Sequence, residues 1–471
     1  MFYAIIINGI LKKNRGCFMK IIIVGAGKIG ELLCKDLASE GNDITLIEQN
    51  AKILDRVLSS SDIMGIMGNG ANCDILTEAN VKSCDVFIAV TQSDEINIIS
   101  SVMAKKLGAK YSIARVRNPE YFTQMQFMSE SLGIDAMLNP EAESAYCIAR
   151  NLEFPTALNV ETFSSNKVNI VELMVEENSY LDGLKLIDFK KNKNFKGILV
   201  CIVKRGKDIY IPTGNFVLQA KDKIYVTGIQ SDLSNFYKSL GHVEERIKSV
   251  VIVGGGRITY YLTSILLERK IDVKIIELNE DRAKKLSETF ENAIVVHGNG
   301  TDSDLLEEER FDKYDACVSL TGIDEENIII SMYANKKGIK KNITKINGIS
   351  LFNVLELVGL QSIVTPKKIV ADNIVKIVRS LASSQKEDNI ETLYRIADNN
   401  VEAIEFKVPE DSLVSGIPLK DLNIKKNLLI AYIIRENQLI FPGGNDTIEA
   451  GDRVIIITTE KYLNNINKIL E

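Results

Sequence analysis

The chain has 471 residues, 45% hydrophobic and 25% charged, the balance of an ordinary globular protein with apolar side chains for several cores. A net charge of −6 argues against a general nucleic-acid binder, whose surface must neutralise phosphates. Seven cysteines without a CxxC pair, and only two histidines, His242 and His297, argue against a disulfide framework, a zinc or His-rich metal site and imidazole catalysis.

The N-terminal MFYAIIINGILKKNRGCFMK has an apolar run that stops at Lys12, short of the roughly 18 residues a spanning helix needs. Its charges follow the run, unlike those of a secretory signal. Met19 is the expected natural start, with residues 1–18 an upstream extension or frayed arm. No later segment is apolar for long enough to span a bilayer, so direct membrane insertion is not expected.

From Lys20 the pattern alternates. A β-branched run at 21–24 predicts a strand buried on both faces of a parallel sheet. A helix over 29–40, stopped by Gly41-Asn42, a strand over 44–47, a helix over 51–58 and a strand over 64–67 follow. Next come a helix near 74–79, a strand over 86–90, a helix over 95–107 and a strand over 112–115. Strands joined by helices of about a dozen residues predict a doubly wound sheet. Shorter strands then appear at 168–175, 199–204, 209–211 and 223–228, with Arg205-Gly206-Lys207 as a hairpin turn.

The whole pattern then repeats. Lys20-Ile21-Ile22-Ile23-Val24-Gly25 is matched by Ser249-Val250-Val251-Ile252-Val253-Gly254, and Gly68-Asn69-Gly70 by Gly298-Asn299-Gly300. Asp94-Glu95 and Asn97 are matched by Asp324-Glu325 and Asn327, and Pro140 by Pro366. Second-copy strands are expected at 401–408, 429–435, 439–441 and 453–458. Register held over this distance points to gene duplication. The expected fold class is α/β: two Rossmann-like, doubly wound parallel-sheet lobes, each followed by a small α+β lobe. The expected segments are 1–18, 19–155, 156–240, 248–385 and 386–471. The short polar stretch 240–248 joins the halves, with softer boundaries at Pro155 and 383–389.

The glycines carry the chemistry. Gly25-Ala26-Gly27-Lys28-Ile29-Gly30 is GxGxxG between a strand and a helix. The first glycine makes the tight turn, the second admits a pyrophosphate, and the third lets helix and strand approach. Glu48, about 20 residues on, ends the second strand, where a carboxylate reads ribose hydroxyls and repels a 2′-phosphate. NAD(H) is favoured over NADP(H), and adenine mononucleotides also fit. The second loop, Gly254-Gly255-Gly256-Arg257-Ile258-Thr259, keeps two glycines and loses the third; Thr259 is expected to widen the helix–strand contact, and Glu277 remains. Lys28 and Arg257 share a repeat position, as phosphate contacts or as solvated helix-start cations. Gly68, Thr91, Gln92 and Arg115 follow or end later strands and are expected to border the same crevice. For Thr91 and Arg115, ordinary loop capping or a pairing of Arg115 with Glu120 is the alternative role.

These motifs, with the segment 113–121 (IARVRNPEY) and the C-terminal-lobe segments LDGLKLIDF and VSGIPLKDL, resemble the peripheral subunit of bacterial Trk potassium uptake systems. That family is built of two tandem RCK (KTN) modules, each with an N-lobe and a C-lobe. The likeness runs from Met19 to Glu471. It implies a non-enzymatic regulatory protein that binds NAD(H), and adenine nucleotides such as ATP or ADP, at its N-lobes. The implied nucleotide-binding positions are Gly25, Ala26, Gly27, Lys28, Ile29, Glu48, Thr91, Gln92 and Arg115. Their second-copy counterparts are Gly254, Gly255, Gly256, Arg257, Ile258, Glu277 and Thr321, with Lys345 in place of Arg115. The resemblance further implies a homotetramer peripheral to the inner face of the cell membrane, held there by a membrane-embedded potassium channel or transporter subunit (TrkH/TrkG-like). An NAD-dependent oxidoreductase is the alternative, but no catalytic constellation accompanies the glycine loops.

Overall fold

The computed structural model describes residues 19–154, 157–163, 168–189, 191–241, 246–348, 355, 359–360, 362–384, 389–397, 400–436, 438–461 and 463–471. The extension 1–18, Pro155, His242 with part of the junction between the halves, and 385–388 of the second soft boundary lie outside them. The chain forms two compact units. One is the chain through Glu143 with Lys367–Lys386; the other is Ser144–Pro366 with Glu387–Glu471.

The first unit holds a six-stranded parallel sheet: β1 (Lys20–Val24), β2 (Asp43–Glu48), β3 (Met64–Met67), β4 (Val86–Ala89), β5 (Tyr111–Arg115) and β6 (Ala136–Leu138), in the order β3-β2-β1-β4-β5-β6. The reversal of strand order between β1 and β4 opens a crevice at the carboxyl ends of the strands. Helix Lys28–Ser39 packs Leu33, Cys34 and Leu37 onto one face among Ile21, Ile23 and Ile88. Helix Asp94–Leu107 is capped by Ser93, whose hydroxyl accepts from the Ile96 N–H at 3.2 Å, and stops at Gly108 in the left-handed region.

Helix Pro366–Ser384 comes from the second half of the sequence, yet it buries Val370, Ile374 and Val378 in the core around β1, β4 and β5. The exchange is reciprocal. Helix Pro140–Glu153, which follows β6, meets Arg269 of the second unit through Ala149 O at 3.2 Å and the Glu153 carboxylate.

The second unit contains a parallel sheet of the same order: Ile294–His297, Asp272–Glu277, Ser249–Val253, Ala316–Ser319, Lys341–Lys345 and Ser362–Val364. It also contains two five-stranded antiparallel sheets. Each gains an edge strand beyond the sequence expectation, Asn159–Phe163 in one and Ile390–Ile396 in the other. The two antiparallel sheets share a core in which Cys201, Ile202 and Tyr225 meet Ala403, Tyr432 and Ile455. Both repeat one ion pair. Arg205 clasps the fully buried Asp222 through two contacts of 2.8 Å, and Arg435 clasps Asp452 at 2.9 and 2.8 Å. Each aspartate also accepts the N–H three residues before it, so Ala220-Lys221-Asp222 and Ala450-Gly451-Asp452 form equivalent turns. Among the described residues no helix is long and apolar enough to cross a membrane.

Candidate nucleotide-binding clefts

β1 delivers the chain to Gly25 at φ +100°, and a side chain there would press on the backbone of Thr91 at 3.0 Å. Helix Lys28–Ser39 then starts from Gly27 with no side-chain cap, so its first-turn N–H groups lack partners within the helix and present the positive end of its dipole. A Cβ at Gly30 would run into the Gly25 carbonyl oxygen, so the third glycine brings helix and strand together. Ala26 is buried and donates its N–H to Glu48 Oε2 at 2.7 Å, while Glu48 Oε1 accepts the Asn50 N–H at 2.9 Å. The acid ending β2 thus pins the glycine loop.

A cleft of about 680 Å³ opens at these strand ends. Gly25, Gly27, Lys28, Ile29, Glu48, Gly68, Thr91, Gln92 and Arg115 line it; Ala26 and Gly30 stand behind it as loop supports. The Thr91 hydroxyl lies 2.7 Å from Asn97 Oδ1 and accepts the Ser93 N–H at 3.3 Å, a loop-capping role. Asn97, fully buried, also donates to Arg115 O at 2.9 Å and so knits the ends of β4 and β5.

Two charged lining residues were not singled out from the sequence. Arg117 stands in the quoted 113–121 segment; its guanidinium lies 3.3 Å from Asp94 Oδ1 and donates to Gln92 O. Lys367 arrives on the exchanged helix, and no local pattern announces it. The lining therefore carries four cations, Lys28, Arg115, Arg117 and Lys367, against one carboxylate, Glu48.

The second glycine loop repeats the frame with altered chemistry. Gly254 has φ +102°, and a side chain there would press on the Leu320–Thr321 backbone at 2.8 Å. Gly255 donates its N–H to Glu277 Oε2, and Glu277 Oε1 accepts the Asn279 N–H at 2.8 Å. Glu277 is 5% exposed, and Arg282 Nη1 lies 3.5 Å from it; the aligned residue of the first copy is Ile53, which lines the first cleft. Gly256 caps the helix, Arg257 is exposed and Ile258 is buried. Thr259 is fully buried, and its hydroxyl donates to Gly254 O, meeting the carbonyl that a bare methyl would oppose. The Thr321 N–H donates to Asn327 Oδ1 at 2.8 Å, as the Thr91 N–H does to Asn97 Oδ1, while the Thr321 hydroxyl donates to Ile323 O at 3.0 Å. Lys345 Nζ reaches back to Leu320 O at 3.2 Å, and Asn347 replaces Arg117 on Asp324 at 2.9 Å. His297 is exposed, with Nε2 3.1 Å from Leu278 O.

The TrkA-N domain model matches residues 21–140 and 250–366, and the TrkA-C domain model matches 170–241 and 403–471, together most of the chain. The chain belongs to the TrkA family of potassium uptake proteins. The Trk system potassium uptake protein TrkA homolog of Archaeoglobus fulgidus is 34% identical over 451 residues, 96% of this chain and 100% of that protein. TrkA of Halomonas elongata is 32% identical, covering 94% of this chain and 96% of its own. Among solved structures, the GsuK RCK domain matches with a TM-score of 0.60 at 17% identity over 96% of this chain and 97% of that one. The GsuK channel bound to NAD matches with a TM-score of 0.60 at 16% identity over 98% and 81%. At such identities these structures establish the fold alone.

Proposed function

We propose that this TrkA-family protein is a regulatory subunit that binds NAD(H) or adenine nucleotides in its N-lobes and gates a membrane potassium channel or transporter. The observation that carries the reading is the first cleft, where an uncapped helix start, four cations and one carboxylate at the end of β2 meet at a glycine loop. Phosphates suit the helix start and the cations, and ribose hydroxyls suit a carboxylate at Glu48. The structurally related GsuK channel is bound to NAD in one of its structures, which supports the same ligand class. The second loop, with Thr259, Lys345 and Asn347, is the weaker or differently selective site.

The membrane partner is a TrkH/TrkG-like subunit, and the assembly is a homotetramer at the inner face of the membrane. Nucleotide gates the partner only by binding two arrangements of the modules unequally, a coupling typically of ~1–3 kcal/mol. The chain's own residues bind and orient the ligand, and no catalytic role is assigned to any of them.

Isothermal titration with NADH, NAD, ATP and ADP tests the reading on wild type, Gly27→Glu and Gly256→Glu. A Cβ at either glycine meets nothing within 4 Å, so each substitution fills ligand space without disturbing the fold. The expected result is loss of one binding event in each variant. Unchanged affinity for every nucleotide in both variants sinks the proposal.

A further inference from the structure

The wall of the first cleft includes Lys367, the second residue of helix Pro366–Ser384. Its place there is set by the packing of Val370, Ile374 and Val378 against Ile23, Ile88 and Ile113. The repeat alignment sets Pro140 against Pro366, so Glu141 is the residue that matches Lys367. The helix exchange thus puts an ammonium where the residue of the first copy would have been a carboxylate.

The strand order gives the cleft a direction. Glu48 ends β2, the glycine loop follows β1, Thr91 follows β4 and Arg115 ends β5, in the order β3-β2-β1-β4-β5-β6. The carboxylate lies on one side of the glycine loop; Arg115 and Arg117 lie on the other. A nucleotide with its ribose at Glu48 and its first phosphate on the glycine loop extends its next group toward β4 and β5. In NADH that group ends in an uncharged nucleoside. In ADP and ATP it is a terminal phosphate, which suits a lining that carries Lys367 together with Arg115 and Arg117.

We propose that Lys367 is a specificity-determining residue of the first cleft: it binds the terminal phosphate of an adenosine di- or triphosphate and so ties occupancy of that cleft to a helix supplied by the second repeat. The inference rests on the first cleft being a nucleotide site.

The test is titration of AMP, ADP, ATP and NADH, in EDTA, into full-length Gly256→Glu protein carrying Lys367, Lys367→Gln or Lys367→Arg. Loss of one charge-assisted hydrogen bond predicts about tenfold or greater weakening of ADP and ATP in Lys367→Gln. AMP and NADH are expected to stay within about twofold, and Lys367→Arg to retain ADP and ATP binding. Equal weakening of all four ligands by Lys367→Gln marks a merely structural role and overturns the proposal, as does unchanged ADP and ATP binding. If the Lys367 parent binds no nucleotide, the proposed function falls and this inference with it; if the parent binds and only selectivity is unmoved, this inference alone falls.

Discussion

Glu40 and Arg379 stand 339 positions apart and form a bidentate ion pair, Arg379 Nε to Glu40 Oε2 at 3.0 Å and Nη2 to Oε1 at 2.7 Å. Their side chains are 6% and 12% exposed. The pair joins the end of the first glycine-loop helix to the exchanged helix that carries Lys367. Removing one partner of a buried pair leaves a charge in a poorly solvated place, whereas removing both can be nearly neutral. Arg379→Met is therefore expected to cost about 3 kcal/mol in urea denaturation, and Glu40→Gln combined with Arg379→Met to recover part of the loss. A cost within about 0.5 kcal/mol for the single change, the range of an ordinary surface substitution, would contradict the pair's structural role.

Thr259 offers a second test. Its hydroxyl donates to Gly254 O from a fully buried position. Thr259→Val keeps the shape but sets a methyl against that carbonyl. The expected loss is about 1–3 kcal/mol, because a buried acceptor loses its donor. Thr259→Ser, which retains the hydroxyl, is expected to lose less. Chemical denaturation of the two variants side by side decides it; equal losses would show that the methyl, not the hydrogen bond, matters.

Lys341 gives a pH signature. It is 3% exposed, its ammonium donates to Ala157 O, and burial pushes its pKa from 10.5 down to about 7. Between about pH 7 and 10.5 the unfolded chain binds a proton that the native site lacks, so this site's contribution to stability rises with pH across that window. Below about pH 7 the native site is protonated too, and the cost of the buried charge is full. Lys341→Met is expected to raise the thermal midpoint relative to wild type at pH 6, with the difference shrinking by pH 9. A difference that is constant with pH would show that Lys341 does not titrate in this range.

The thiols supply a chemical readout. Burial pushes Cys34, Cys84 and Cys317 up to about 12, and Cys201 higher still, while Cys73 is exposed. Because the thiolate is the reactive form, iodoacetamide at pH 8 is expected to label Cys73 in the native protein and the four buried thiols only after denaturation. Mass spectrometry of the labelled peptides reads this directly, and native labelling of Cys201 at the rate of Cys73 would contradict it.

Strand periodicity, the glycine loops and the acids Glu48 and Glu277 were legible because each is written within about thirty contiguous residues. A βαβ unit is a local object: a β-branched run, a glycine turn and an amphipathic helix announce themselves in order. The duplication was legible too, since it keeps register between the copies. The edge strands Asn159–Phe163 and Ile390–Ile396 were missed. Both lie beside the places where linkers were expected, so pairing with a neighbouring strand, more than their own composition, makes them strands. Thr259 was seen as a departure from the glycine pattern, but its compensating bond to Gly254 O needed coordinates.

What the sequence by itself determined is the kind of protein: a duplicated α/β chain with a glycine loop and an acid in each copy, and the family those motifs resemble. What only the tertiary structure decided is which copy furnishes which wall. Lys367 at the first cleft and Arg379 on Glu40 depend on a helix that packs away from its own repeat. The reason is physical. An apolar helix face specifies that it must be buried, but the hydrophobic effect is non-directional, so two similar sheets in one chain offer it two similar partners. Only the assembled three-dimensional packing selects between them.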